Sequence, residues 1–224
     1  KTQQLKKGLM QQLLTKGIGH TKFKQTEIGE IPEEWDCSSV GWACDVIMGQ
    51  SPPGSSYNEK RVGLPLINGP TEFGQVNPSP VQWTSKPTKV CQGGDLLLCV
   101  RGNTAGRTNV ADREYCIGRG VAAIRSKAGK MYQGFLRYLF QKLERHILLT
   151  AFGAGSTFPN INGDEIRNLS IPIPTMVEQV RIASILSEVD ESIASNRTCR
   201  EQLEQLKRGL MQVLLTGKVR VRVD

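Results

Sequence analysis

Leucines at 5, 9, 13 and 14 recur at the three- and four-residue spacing of one helix face, with Gln and Lys between them and Gly17 beyond the last. This pattern predicts the closing turns of an amphipathic helix over residues 1 to about 17. From about 23 to 174 the pattern changes to short apolar runs separated by Gly, Pro, Ser and Asn. "LPLING" (64–69), "GDLLLCVRG" (94–102), "GVAAIRS" (120–126) and "NLSIPIP" (168–174) read as strands or strand ends. Between them, "GFLRYLFQKLERHILL" (134–149) returns to helical spacing through Leu136, Leu139, Phe140, Leu143 and Ile147.

The final pattern predicts one long helix from about 176 to 215. Thr175 opens a T-x-x-E capping box with Glu178, in which the hydroxyl accepts from a free backbone N–H and the carboxylate reaches back to the cap residue. Pro172 and Pro174 stand just before it, where they cannot interrupt the helix. A heptad reading places Ile182, Val189, Asn196, Leu203 and Leu210 at a, with Ile185, Ser192, Cys199, Leu206 and Val213 at d. The expected helix-packing residues are Ile182, Ile185, Val189, Asn196, Leu203, Leu206, Leu210 and Val213. Forty residues would span about 60 Å. A domain of this size cannot cover that length, so part of the stripe needs another helix. The expected fold class is α+β: a globular mixed α/β domain followed by a long coiled-coil-type helix.

One segment is written twice. "QLKKGLMQQLLT" (4–15) returns as "QLKRGLMQVLLT" (205–216), offset by 201 residues and identical at ten of twelve positions. The chain also begins at Lys1, inside a helical pattern, and so reads as a fragment or processed product.

Composition narrows the class. Apolar residues make up 38% and charged residues 22%, as in a soluble globular chain. Neither an eighteen-residue apolar run nor a signal-peptide pattern occurs, so no membrane association and a cytoplasmic location are expected. The six cysteines (37, 44, 91, 99, 116, 199) form no C-x-x-C pair and the only histidines are His20 and His146. Neither a metal site nor a cofactor is expected. The net charge of +8 is concentrated between residues 85 and 145, where twelve Lys/Arg face four Asp/Glu. A local basic face points to a polyanion.

Catalytic patterns are missing. "FGAG" (152–155) resembles part of an adenosylmethionine-binding turn but lacks the surrounding strand, helix and acidic residue, and no N/D-P-P-Y/F element is present. Glu-x-Lys, needed by the common carboxylate-and-lysine nucleases, occurs nowhere. "GNTAGR" (102–107) lacks the Lys-Ser/Thr ending of a P-loop. Binding chemistry remains. "VRGNTAGRTN" (100–109) follows a strong strand and combines Arg, which suits guanine and phosphate, with Asn, which suits adenine. "FGAGSTFPNINGDEI" (152–166) adds a second polar loop.

The order of motifs is more specific than any one of them. "IGEIPEEW" (28–35), "GQSPPG" (49–54), "PLING" (65–69), "GDLLLCVRGNTAG" (94–106), "GAGSTFPNINGDEIRNLSIPIP" (153–174) and "EQVRIASILSEVDESI" (178–193) occur in that succession. From about residue 25 onward the chain resembles the DNA-specificity subunits of type I restriction-modification systems. The resemblance implies two related halves in a full subunit, each a recognition domain followed by a long helix, with the helices packed antiparallel as a spacer. Residues 1–20 would then be the end of the preceding conserved helix, 21–174 the target-recognition domain, 175–216 the spacer helix and 217–224 a basic tail. It implies no catalysis in this chain. The partners would be double-stranded DNA, the modification (methyltransferase) subunits and, through them, the restriction subunit; the fragment could also associate with itself through the long helix. The expected DNA-contacting residues are Arg101, Asn103, Arg107, Arg113, Arg119, Ser156, Thr157 and Asn160. "RGNTAG" and "GSTFPN" match framework motifs of the family, which implies that they shape the DNA-facing loops rather than read bases. The alternative is a helical assembly protein whose central domain binds a protein partner.

Overall fold

The computed structural model describes residues 2–153 and 159–215. The expected basic tail at 217–224 lies outside the described residues. Helix α1 (Thr2–Leu13) leads through a turn to the hairpin β1 (Phe23–Thr26) and β2 (Gly29–Pro32). There follow β3 (Asp36–Ser39), the single turn α2 (Val40–Ala43), β4 (Cys44–Met48), β5 (Tyr57–Asn58), β6 (Leu64–Ile67), β7 (Gln82–Thr84) and β8 (Val90–Cys91). Next come β9 (Leu96–Cys99), β10 (Thr108–Val110), β11 (Tyr115–Ile117) and β12 (Val121–Ser126). Helix α3 (Gln133–Phe152), the short α4 (Gly163–Arg167), β13 (Ser170–Ile173) and the long α5 (Met176–Leu215) complete the chain. The mixed α/β domain and the long helix are those the pattern predicts.

Two sheets share one middle layer. The first has the order β10-β9-β12-β4 and is antiparallel throughout. The second, β5-β7-β6-β11-β8, contains one parallel pair, β6 with β11. Side chains alternate across a strand, and β9 and β12 use both faces. Leu96, Leu98, Ala122 and Ile124 join Phe135, Leu136, Leu139 and Phe140 of α3 in the main core. Leu97, Cys99, Val121 and Ala123 pack instead with Ile67, Tyr115 and Ile117 of the second sheet. A strand covered on both sides needs no polar alternation, which is why "LLLC" is uniformly apolar.

The helices meet on the outer side of the main core. Leu13 and Leu14, at the end of α1, are buried there with Ile182, Ala183 and Leu186 of α5. Each leucine buried in this way stabilises by about 1.5–3 kcal/mol. Asp190 of α5 ties all three helices together: it pairs with Lys6 Nζ at 2.6 Å and accepts from Tyr138 Oη at 3.0 Å. Burial, together with this carboxylate, pushes the Tyr138 phenol up to about 12. The buried Gln179 accepts from Tyr132 N–H at 2.7 Å and donates to the Pro174 carbonyl at 2.9 Å, satisfying the turn before α3.

One sequence expectation for α5 changes. Thr175 Oγ1 does accept from Glu178 N–H at 3.3 Å, but the Glu178 carboxylate does not return to the cap. It accepts from Ile18 N–H (2.9 Å) and Trp35 Nε1–H (2.8 Å) and contacts His20 Nε2 at 3.0 Å. The stronger competitor is the chain segment after α1, which brings several donors to one carboxylate. The expected packing set also divides along the helix. Ile182 is buried, Ile185 and Val189 are half-buried, and Asn196, Leu203, Leu206, Leu210 and Val213 face solvent. The seam against the domain runs through Gln179, Ile182, Ala183 and Leu186, and the solvent-facing remainder lies on the part of the stripe expected to need another helix.

Candidate nucleic-acid interface

Where β9 ends, the backbone folds into a tight clasp. Arg101 bridges Asn160, Gly102 N–H donates to the Pro159 carbonyl at 2.9 Å, and Ile161 N–H donates to Val100 at 3.0 Å. Gly106 N–H returns to the Cys99 carbonyl at 2.9 Å. Gly106 has φ +93, and a Cβ there would lie 2.4 Å from the Glu144 carbonyl oxygen of α3. Glycine is therefore required both for the turn and for the contact. These features fit a framework role for the backbone of "RGNTAG", while Arg101, Asn103 and Asn160 are exposed.

The expected DNA-contacting residues fall into several places. Arg101, Asn103 and Asn160 share one corner. Ser156 and Thr157, which would join them by sequence, lie outside the described residues. Arg107 opens into a different space, a crevice of about 790 Å³ between α1 and α3 lined by Lys6, Lys7, Gln141, Lys142 and Arg145. Arg113 lines a cleft of about 670 Å³ on the second sheet with Arg61 and Trp83. Arg119 sits beside Ser51, whose Oγ accepts from its backbone N–H at 3.4 Å.

Charge is distributed less evenly than the sequence count suggests. Within the basic window Arg125 is held by Asp95, Lys127 by Asp45 at 3.6 Å and Arg137 by Asp190 at 3.9 Å. Lys142 donates to the Leu14 carbonyl at 3.1 Å, and burial lowers its ammonium to about 8. It closes the end of α1 and is a weak source of charge in mild alkali. Among the described residues, Arg101, Arg107, Arg113 and Arg119 make no ion pair and are exposed. Lys6, Lys7, Arg61 and Trp83 escape a reading centred on the basic window. The Lys-Lys of "QLKKGLM" is the one signal that could have found the first two.

The family model for the type I restriction modification DNA specificity domain matches residues 32–205. A Methanocaldococcus jannaschii protein carrying the name of the type I restriction enzyme MjaX specificity subunit is 41% identical over 97% of this chain and 51% of its own length. The MjaVIII specificity subunit of the same organism is 31% identical over 97% of this chain and 54% of its own. The crystal structure of the HsdS subunit from Thermoanaerobacter tengcongensis superposes with a TM-score of 0.72 at 30% identity, covering 97% of this chain and 51% of that one. A chain from a structural study of complex assembly in a type I restriction-modification system gives 0.73 at 33% identity, covering 95% and 52%. The chain thus spans about half the length of the curated relatives it matches. With the family model matching most of its length, and with relatives and solved structures alike along nearly all of it, the chain belongs to the type I restriction-modification DNA specificity family.

Proposed function

We propose that this chain reads one part of a bipartite duplex DNA target, with residues 21–174 as the recognition unit, and that it has no catalysis of its own. It serves modification subunits, and through them a restriction subunit, in the cytoplasm. The observation that carries this reading is the set of exposed arginines without an ion pair, Arg101, Arg107, Arg113 and Arg119, carried on the turns that flank β9 to β12. Arg can bind phosphate as well as guanine, and a loop fixed by its backbone presents it without further ordering cost. Among the described residues no helix is long and apolar enough to cross a membrane.

Competition binding tests the reading. Affinity for duplex should fall steeply with salt, by a log–log slope of roughly 0.9 per phosphate contact, and one duplex sequence should outcompete random duplex. Arg107→Ala should weaken binding to all sequences and reduce that slope by about 1 without changing thermal stability. Equal, salt-insensitive binding to every duplex would contradict the proposal.

The helices serve assembly. Leu13 and Leu14 are buried by this domain, at 8% and 0% exposure, whereas their counterparts in the repeat, Leu214 and Leu215, are 43% and 78% exposed. Leu203, Leu206, Leu210 and Met211 continue the apolar stripe of α5 and are exposed as well. Closing leucines that one copy of the repeat buries call for an equivalent surface for those of the other, from a second chain or from a related half of a longer one. Leu206→Asp should abolish that association in analytical ultracentrifugation and leave the isolated domain's unfolding midpoint unchanged.

A further inference from the structure

We propose that the cleft on the second sheet is a base-reading site, in which Arg61 reads guanine and Glu114 its paired cytosine from the major groove. This inference rests on the DNA-recognition reading above and adds a site within it. Arg61, Gly63, Pro80, Trp83, Arg113 and Glu114 line the cleft.

The loop between β5 and β6 is built to hold one side chain in place. Asn58 closes it, accepting from Val62 N–H through Oδ1 at 3.0 Å and donating through Nδ2 to the Val62 carbonyl at 3.0 Å. The same Nδ2 reaches the Trp83 carbonyl at 3.4 Å. Gly63 has φ +86, and a Cβ there would lie 2.1 Å from the Thr84 carbonyl oxygen, so the loop lies directly on β7. At its tip Arg61 adopts φ +60, the one left-handed non-glycine backbone among the described residues. A bulky residue in that region is a marked departure from ordinary backbone preference, and such departures concentrate at functional sites.

The Arg61 guanidinium lies over the Trp83 ring, 5.4 Å from its centroid. A cation–π contact of this kind holds the guanidinium by its charge and uses none of its N–H donors. Such a fork matches the O6 and N7 acceptors of guanine. Glu114, in the same cleft, is an acceptor suited to the cytosine amino group, so the pair of side chains complements the two edges of one G·C pair. Arg113, 5.5 Å from the centroid of the Tyr115 ring, adds a second cation suited to a flanking phosphate. Among the described residues Arg61, Arg113 and Glu114 form no ion pair with one another or with any other group, so the Arg61 fork and the Glu114 carboxylate are not neutralised within the cleft.

The test uses the complete protein with its co-expressed modification subunits and maps methylated motifs in cellular DNA. The wild type should specify a motif containing a G·C pair that depends on this cleft. Arg61→Gly relieves the left-handed backbone, so its melting temperature should stay level or rise while the motif loses its preference at that one pair. Arg61→Lys keeps the charge without the fork and should lose the same preference. An unchanged motif in Arg61→Gly overturns the proposal. So does weaker methylation at every site with the motif intact, which would make Arg61 a backbone contact. A wild-type protein that specifies no motif overturns the DNA-recognition reading and this site with it.

Discussion

Arg125→Met will destabilise the chain by about 3–5 kcal/mol. The Asp95 carboxylate is only 2% exposed, and Arg125 Nε and Nη2 each donate to it at 2.7 Å. That hydrogen-bonded carboxylate in turn holds the guanidinium above the usual arginine range. Methionine keeps most of the apolar stem while removing the charge, leaving Asp95 with the Gln92 N–H at 2.8 Å. An uncompensated buried carboxylate is the expensive outcome, not the loss of the pair as such. The double variant Asp95→Leu with Arg125→Met should therefore lie closer to the wild type than the single variant does. Denaturant midpoints of the three proteins at neutral pH measure this. The pair links the start of β9 to β12, the strands that present the 101–107 turn and Arg119, so loss of DNA binding should follow the loss of stability.

Gly17→Ala will cost about 2–4 kcal/mol. Gly17 has φ +65, and a Cβ there would lie 2.5 Å from Glu178 Oε1 and 2.7 Å from both His20 and Trp35. The substitution therefore strains the backbone and forces apart the groups that join α1 to the start of α5. Gly8, inside α1 with nothing within 4 Å of a built Cβ, is the matched contrast. Gly8→Ala should stabilise by about 0.5–1 kcal/mol through helix propensity. Thermal unfolding of the two variants should move in opposite directions.

These effects show where the sequence could be read and where it could not. The long elements were visible for different reasons: α3 because one covered face dictates its period through Leu136, Leu139, Phe140 and Ile147, and α5 because no proline or turn signal interrupts its forty residues. Strand β9 was visible as an apolar run, but its division between two cores was not, because a strand covered on both faces carries no alternation. Thr175 and Glu178 announced a helix start, yet the destination of the carboxylate depended on Ile18, His20 and Trp35, more than 140 positions away.

The candidate site was legible in the same partial way. Arg101, Asn103 and Asn160 converge, as two polar loops after a strand suggested, but the backbone bonds that bring them together belong to the fold. Counting charges gave Arg125, Lys127 and Arg137 the same weight as Arg107, because composition does not reveal which cations are already paired. Arg61 carried no signal at all: its left-handed backbone and its position over Trp83 arise from Asn58 and Gly63 closing the loop. The repeat was plain in the sequence, but only the fold shows that the closing leucines of one copy, Leu13 and Leu14, are buried while Leu214 and Leu215 of the other are exposed.

The central claim is that residues 21–174 specify one part of a DNA target. The direct measurement is a segment exchange: those residues are replaced, in the complete protein, by the aligned segment of the MjaVIII relative, and methylated bases are mapped in DNA from cells expressing the chimera with its modification subunits. One part of the methylated motif should change to a new sequence while the other part stays the same. A motif that is unchanged in both parts by the exchange would contradict the assignment of recognition to this domain.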